Sequence, residues 1–232
     1  TDARVDMLFA SLIGLALVAW YFWYRTGREF ARSAAYLAIA LAVLTKGPAG
    51  AILPGLVIFC FLLCQRELGR LRDFFSWSWV LMVVAIDLGW YLAAYERGGT
   101  PFFQKQIGYE NVERFFGAGE FEQKRSGSQA IWLITQLFPW SSIVLLAPIR
   151  WFRGHRQDDF GRFLHAWWLT IFPFFLFAAG RRAVYLLPVY PAVALLAARE
   201  IVAFLDARQG TFVTRRFSIK ASVAAVVVIA AV

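Results

Sequence analysis

Ser33–Cys64 reads SAAYLAIALAVLTKGPAGAILPGLVIFCFLLC, and Lys46 is its one charged residue. A membrane-crossing helix takes roughly 20 apolar residues, so this run is too long for one helix. Lys46-Gly47-Pro48 divides it. Gly47 permits a bend, and Pro48, which has no N–H to donate, is suited to the first position of a new helix. The stretch therefore predicts a helical hairpin with Lys46 at its turn. Each arm is short, as bundles with a partly protein-lined environment tolerate.

Working outward, Met7–Tyr24, Ser76–Tyr95, Ala130–Ile149 and Phe163–Ala179 read as further spans, and Val184–Ala198 as a shorter helix holding Pro188 and Pro191. The chain is 60% apolar and 18% aromatic, with mean hydropathy +0.57. These values point to an all-α, polytopic transmembrane helical bundle. It opens on Thr1 and closes inside the apolar run Ser222–Val232, so we expect one transmembrane domain over 1–232 that is an internal piece of a longer protein. Cys60 and Cys64 read as small buried hydrophobes rather than a disulfide or metal site. His155 and His165 belong to no ligand-spaced cluster. No Gly-rich phosphate loop is present, so no nucleotide cofactor is expected. The net charge of +9 points to membrane lipids and the orientation rule, not to nucleic acid, because the basic residues fall in short loops.

Alternating the sides places Arg25–Arg32, Gln65–Phe75, Arg150–Arg162 and Arg199–Phe217 together, with 14 Lys/Arg and 7 acids. The other side holds the first six residues, the Lys46 turn, Glu96–Gln129 and Gly180–Arg182, with 9 Lys/Arg and 7 acids. The basic excess marks the first side as cytoplasmic. Lys46 then sits at the extracytoplasmic surface with Asp2, Arg4, Asp6, Arg181 and Arg182. Cations gathered at a membrane surface suit a phosphate, Arg through its planar fork and Lys as a point charge. Snorkelling and an ordinary basic turn are the plain alternatives.

In the 96–129 loop, Ile107, Val112 and Phe115 share an approximate helical face. Gln106–Phe116 therefore reads as an interfacial helix, with Glu110 and Arg114 spaced for an ion pair. Gly117, Gly119, Ser126, Gly127 and Ser128 read as a mobile flap. Asp87 lies inside a span. Its plain reading is a hydrogen bond between helices, and its functional reading is a polar relay. Tyr185 follows the arginine pair and reads as a phosphate hydrogen-bond donor or an interfacial tyrosine.

LTKGPAGAILP (44–54), WYLAAYERGGTPFFQKQIGYENVERF (90–115), LFPWS (137–141) and RRAVYLLPVYPAVALL (181–196) occur in that order. Together they resemble the membrane-embedded glycosyltransferases that use a polyprenyl-phosphate sugar donor. The resemblance is to the bacterial branch containing the aminoarabinose–lipid A transferases, related to the protein O-mannosyltransferases, and it covers nearly the whole chain. ARVDMLFA (3–10) resembles the segment carrying that family's second active-site acid.

The resemblance implies that Asp6 is a catalytic carboxylate, with Asp2 in reserve. It implies that Lys46, Arg181, Arg182 and Tyr185 contact the donor phosphate, and that Glu110 and Arg114 form a loop site. Three departures stand out: Asn111 where the family often has His, which removes that imidazole from any divalent-metal site; Arg181 or Arg182 where Lys is usual; and Gly89 where Pro is common. The family's principal catalytic Asp is expected upstream of Thr1, so this piece alone is expected to be inactive.

The implied reaction is inverting transfer of a hexosyl- or pentosyl-type sugar to a hydroxyl or phosphate acceptor on a lipid, glycan or protein, at the extracytoplasmic face of the bacterial inner membrane. A carboxylate would take the acceptor proton, and cations would stabilise the departing phosphate. A flippase for a lipid-linked anion, relaying through Asp87, and a non-catalytic envelope-assembly subunit are the other classes. Inverted repeats and mid-depth polar residues would mark the flippase; this chain has one such residue, Asp87, while its other candidate site charges gather at one face.

Overall fold

A computed structural model describes residues 5–103, 135, 158–177 and 183–209. Among them the regular elements are all helical: α1 Val5–Thr26, α2 Glu29–Lys46, α3 Ala49–Gln65, α4 Arg70–Phe74, α5 Trp77–Phe103, α6 Asp159–Phe177, a 3-10 segment Ala183–Val189, and α7 Tyr190–Gln209. The expected span 130–149, apart from Thr135, and the interfacial helix 106–116 lie outside the described residues.

The hairpin forms where the sequence places it. α2 stops at Lys46, Gly47 adopts φ 72°, and the Gly47 N–H bonds to the Val43 carbonyl at 2.7 Å. This satisfies one of the carbonyls orphaned at the helix end. Pro48 continues directly into α3 with helical dihedrals. The arms then meet at very close range. A Cβ added at Gly50 would stand 2.4 Å from the Ala42 carbonyl carbon and the Val43 nitrogen. Only glycine lets the α3 backbone lie there.

α1 runs through the middle of the bundle, against α2, α3 and the 3-10 segment, while α6 packs on α3, the 3-10 segment and α7. Phe9, Ile13, Leu17 and Trp20 form the buried stripe of α1 at helical spacing. Opposite them α2 offers Ala31, Ala35, Ala38 and Ala42, all buried; such small residues let membrane helices approach closely. Aromatic rings fill the remaining space. Tyr21 stacks on Phe163 at 4.6 Å, and Trp20 meets Phe61 edge-on at 5.8 Å.

Outward, the bundle is apolar. Leu8, Leu15, Leu37, Leu41, Ile52, Phe59 and Leu63 are exposed, as are Leu81, Leu88 and Leu92 of α5. Two helices are long and apolar enough to cross a membrane, Val5–Thr26 and Trp77–Thr100, and no residue in the apolar stretch of the second is fully buried by protein. An apolar surface of that extent belongs against lipid. α5 bends at Gly99, whose φ is 62°.

Three sequence expectations change. Val184–Ala198 is not one helix: Ala183–Val189 is 3-10, and α7 begins at Tyr190. Pro188 cannot donate to an α-helical ladder, and Pro191 suits the first turn of the helix that follows. The Pro188 carbonyl accepts from the Trp167 indole N–H at 2.9 Å, which pins the segment to α6. Cys60 is half-buried and Cys64 exposed, both as free thiols, because their face of α3 points out of the bundle. Asp87 makes no inter-helix hydrogen bond through its buried Oδ1 among the described residues.

Candidate functional site

Three of the sequence-derived residues meet at the hairpin end. Asp6 lies in the first turn of α1, not ahead of it as an N-cap would. There the helix dipole favours a carboxylate. The Lys46 ammonium, in the last turn of α2, forms an ion pair with Asp6 Oδ1, and the two side chains remain 27% and 22% exposed. The pair is thus sheltered yet reachable from the surface.

Two rings complete the surroundings of the ammonium. Lys46 Nζ lies over the Tyr185 ring, 4.5 Å from its centroid, and 5.3 Å from the centroid of Phe9. Both distances fall within the range of a cation–π attraction. Phe9 is one helical turn from Asp6, so both residues face Lys46. Tyr185 comes from the 3-10 segment and is backed by Phe175 of α6 at 5.5 Å. The sequence left Tyr185 as a phosphate hydrogen-bond donor or an interfacial tyrosine; in the structure its ring meets the cation. Phe9 was missed, because an aromatic in an apolar helix looks like core. Its position one turn after Asp6 was the available signal.

Asp2, Glu110, Arg114, Arg181 and Arg182 lie outside the described residues. Among the described residues no group of three or more His, Cys, Asp and Glu side chains gathers in a way that would hold a metal ion.

The opposite end of the bundle carries a separate polar network. Arg25 bonds Asp159 at 2.7 Å, Gln65 donates to Asp159 at 2.9 Å, and Tyr24 donates to Glu67 at 2.9 Å. Asp158 accepts from the Gly161 N–H at 3.1 Å, which caps α6, and from Arg199 of α7 at 2.6 Å. Burial pushes the Asp158 carboxyl up, but the Arg199 guanidinium and the Gly161 N–H outweigh it and hold the carboxyl below its ordinary value of 3.8. These contacts tie α1, α3, α6 and α7 together far from Lys46. Among the described residues the two ends are those the loop assignment separated.

Fold and charge placement together define a polytopic helical membrane bundle with a cation–carboxylate pair at one end. No family model matches the chain. It is similar in sequence to undecaprenyl phosphate-alpha-4-amino-4-deoxy-L-arabinose arabinosyl transferases. With that of Shewanella sediminis it shares 30% identity over 173 residues, 73% of this chain and 30% of the relative. With transferase 1 of Pseudomonas fluorescens it shares 27% over 215 residues, 90% of this chain and 37% of the relative. The chain thus spans about a third of the length of these curated relatives. In fold it matches the crystal structure of ArnT from Cupriavidus metallidurans bound to undecaprenyl phosphate, with TM-score 0.63 and 20% identity, covering 98% of this chain and 52% of that one.

Proposed function

We propose that this chain is part of a membrane-embedded glycosyltransferase that moves a sugar from a polyprenyl-phosphate donor to a hydroxyl or phosphate acceptor, on a lipid, glycan or protein, at the extracytoplasmic face of the bacterial inner membrane. The observation that carries this reading is the convergence of Asp6, Lys46 and Tyr185 from three separate helical segments. The similarity to undecaprenyl-phosphate aminoarabinosyl transferases supports it.

In this reading an acceptor oxygen attacks the anomeric carbon and the bond to the donor phosphate breaks, with inversion. Lys46, with Arg181 and Arg182, neutralises the departing phosphate. Asp6 orients the acceptor or takes its proton, with Asp2 as the alternative carboxylate. Glu110 and Arg114 are kept as the proposed loop site. Asp6 would supply one of the several oxygen ligands that a divalent metal takes.

The test is transfer of radiolabelled sugar from a polyprenyl-phosphate donor by the full-length protein in proteoliposomes, compared with its Lys46→Ala variant. Donor-dependent transfer that Lys46→Ala weakens supports the reading. Donor use unaffected by Lys46→Ala returns the lysine to a snorkelling anchor.

A further inference from the structure

The Lys46 ammonium already has an anion. Its partner is Asp6, so the pair is close to neutral as seen by an approaching phosphate. Among the described residues the ammonium also lies over two ring faces, Tyr185 at 4.5 Å and Phe9 at 5.3 Å. This division is informative. A second carboxylate would hold the lysine but repel an incoming anion. A ring face holds a cation through its quadrupole and carries no net charge. The rings are also fixed. Phe9 is 3% exposed in the core of α1, Tyr185 is backed by Phe175, and its segment is pinned by the Trp167–Pro188 hydrogen bond. Asp6, in contrast, sits in the first turn of α1, and its side chain keeps enough exposure to turn away.

We propose that Phe9 and Tyr185 form an aromatic seat that holds the Lys46 ammonium while its counter-ion is exchanged, from the Asp6 carboxylate to the phosphate of a polyprenyl-phosphate ligand. Asp6 is released when the phosphate arrives, and only then is its carboxylate free to meet an acceptor. Phe9 and Tyr185 are positioning residues that act through Lys46. Binding is consequently ordered, phosphate first. No covalent bond changes in the exchange. The inference rests on the proposed donor phosphate and goes beyond it by making Asp6 a competitor for Lys46 in the unliganded state.

The experiment is titration of the purified full-length protein in detergent with undecaprenyl phosphate carrying no sugar. Lys46→Ala should weaken binding by at least about ten-fold, as expected for loss of a charge-assisted hydrogen bond. Asp6→Asn should tighten binding by about three- to five-fold, because the competing, partly exposed ion pair is gone. Asp6→Ser serves as the second variant if the first expresses poorly. Tyr185→Phe should bind within about two-fold of wild type, while Tyr185→Leu and Phe9→Leu should each weaken binding about three-fold.

A purely structural role for Asp6 cannot produce tighter binding. If Lys46→Ala binds normally, the phosphate reading itself fails and the exchange falls with it. If Lys46→Ala weakens binding but Asp6→Asn and Asp6→Ser do not tighten it, the exchange is overturned and the phosphate reading stands. If Tyr185→Phe weakens binding as much as Tyr185→Leu, the hydroxyl and not the ring is the operative group, and the seat is overturned.

Discussion

Lys46 at the end of α2 and Tyr185 in the 3-10 segment lie far apart in the chain, yet the ammonium stands 4.5 Å from the ring centroid. The contact needs both ends of the bundle core in register. α2 must stop at Gly47, and the 3-10 segment must be anchored on Trp167. The site therefore reports on the packing of helices drawn from both halves of the chain, and the predictions test that packing as well as the chemistry.

Gly50→Ala should destabilise the protein. The added methyl meets backbone atoms of Ala42 and Val43 at 2.4 Å, and backbone cannot yield as a side-chain tip does. Overpacking of this kind costs about 1–3 kcal/mol. Thermal unfolding in detergent should show a lowered midpoint, and undecaprenyl phosphate binding should fall with it because Lys46 is displaced. A Gly50→Ala protein with wild-type stability would mean that the hairpin arms lie farther apart than described.

Asp6→Asn should keep expression and folding, since the core packing of α1 does not depend on the charge. Turnover should fall by roughly a hundred-fold, the low end for a positioned acid–base group. Transfer by the full-length variant, measured beside its lipid binding, separates the two roles of the carboxylate. Near-normal turnover would shift the catalytic assignment to Asp2.

Sidedness follows from the two polar ends. In a background lacking Cys60 and Cys64, Lys46→Cys should react with a membrane-impermeant maleimide added to intact spheroplasts. Arg70→Cys, beside Glu67 and Asp73 at the opposite end, should react only after the membrane is opened. The reverse pattern would invert the proposed active face.

The Asp158–Arg199 contact should make stability depend on pH in one direction. Asp158 is held below its ordinary value of 3.8. Its charge therefore adds stability above that value, and the contribution is lost as pH falls through the lower folded-state value. Asp158→Asn retains the capping oxygen for Gly161 and removes the charge. The variant should unfold at a lower temperature than wild type at pH 6, with the gap closing toward pH 3. The gap should correspond to less than about 1 kcal/mol, because the Asp158 side chain is 59% exposed and solvent screens it. A gap unchanged across that range would remove the charge from the explanation.

The local rules were legible in the residues. A single lysine before Gly-Pro inside an apolar run must lie at a helix end, since burial of an unpaired ammonium between two lipid-facing arms is too costly. That reasoning placed the α2–α3 turn, and the alternation of spans separated the two ends. The helical class followed from apolar length alone, because backbone groups in lipid must be satisfied within the segment.

The counter-ion of Lys46, the face Tyr185 turns to it and the part played by Phe9 were decided only by tertiary structure. Each depends on the rotation of one helix about its axis relative to another, which side-chain packing sets and local periodicity does not. Gly50 shows the same division. As a residue it is one glycine in an apolar run, and only the approach of α2 makes its missing side chain necessary. Asp87 shows the reverse: a carboxylate in a span invited a partner, but packing left its buried Oδ1 without one among the described residues. Sequence determined where charge had to leave the membrane. The tertiary structure decided which charges and rings meet there, because pairing across helices depends on geometry that no single segment contains.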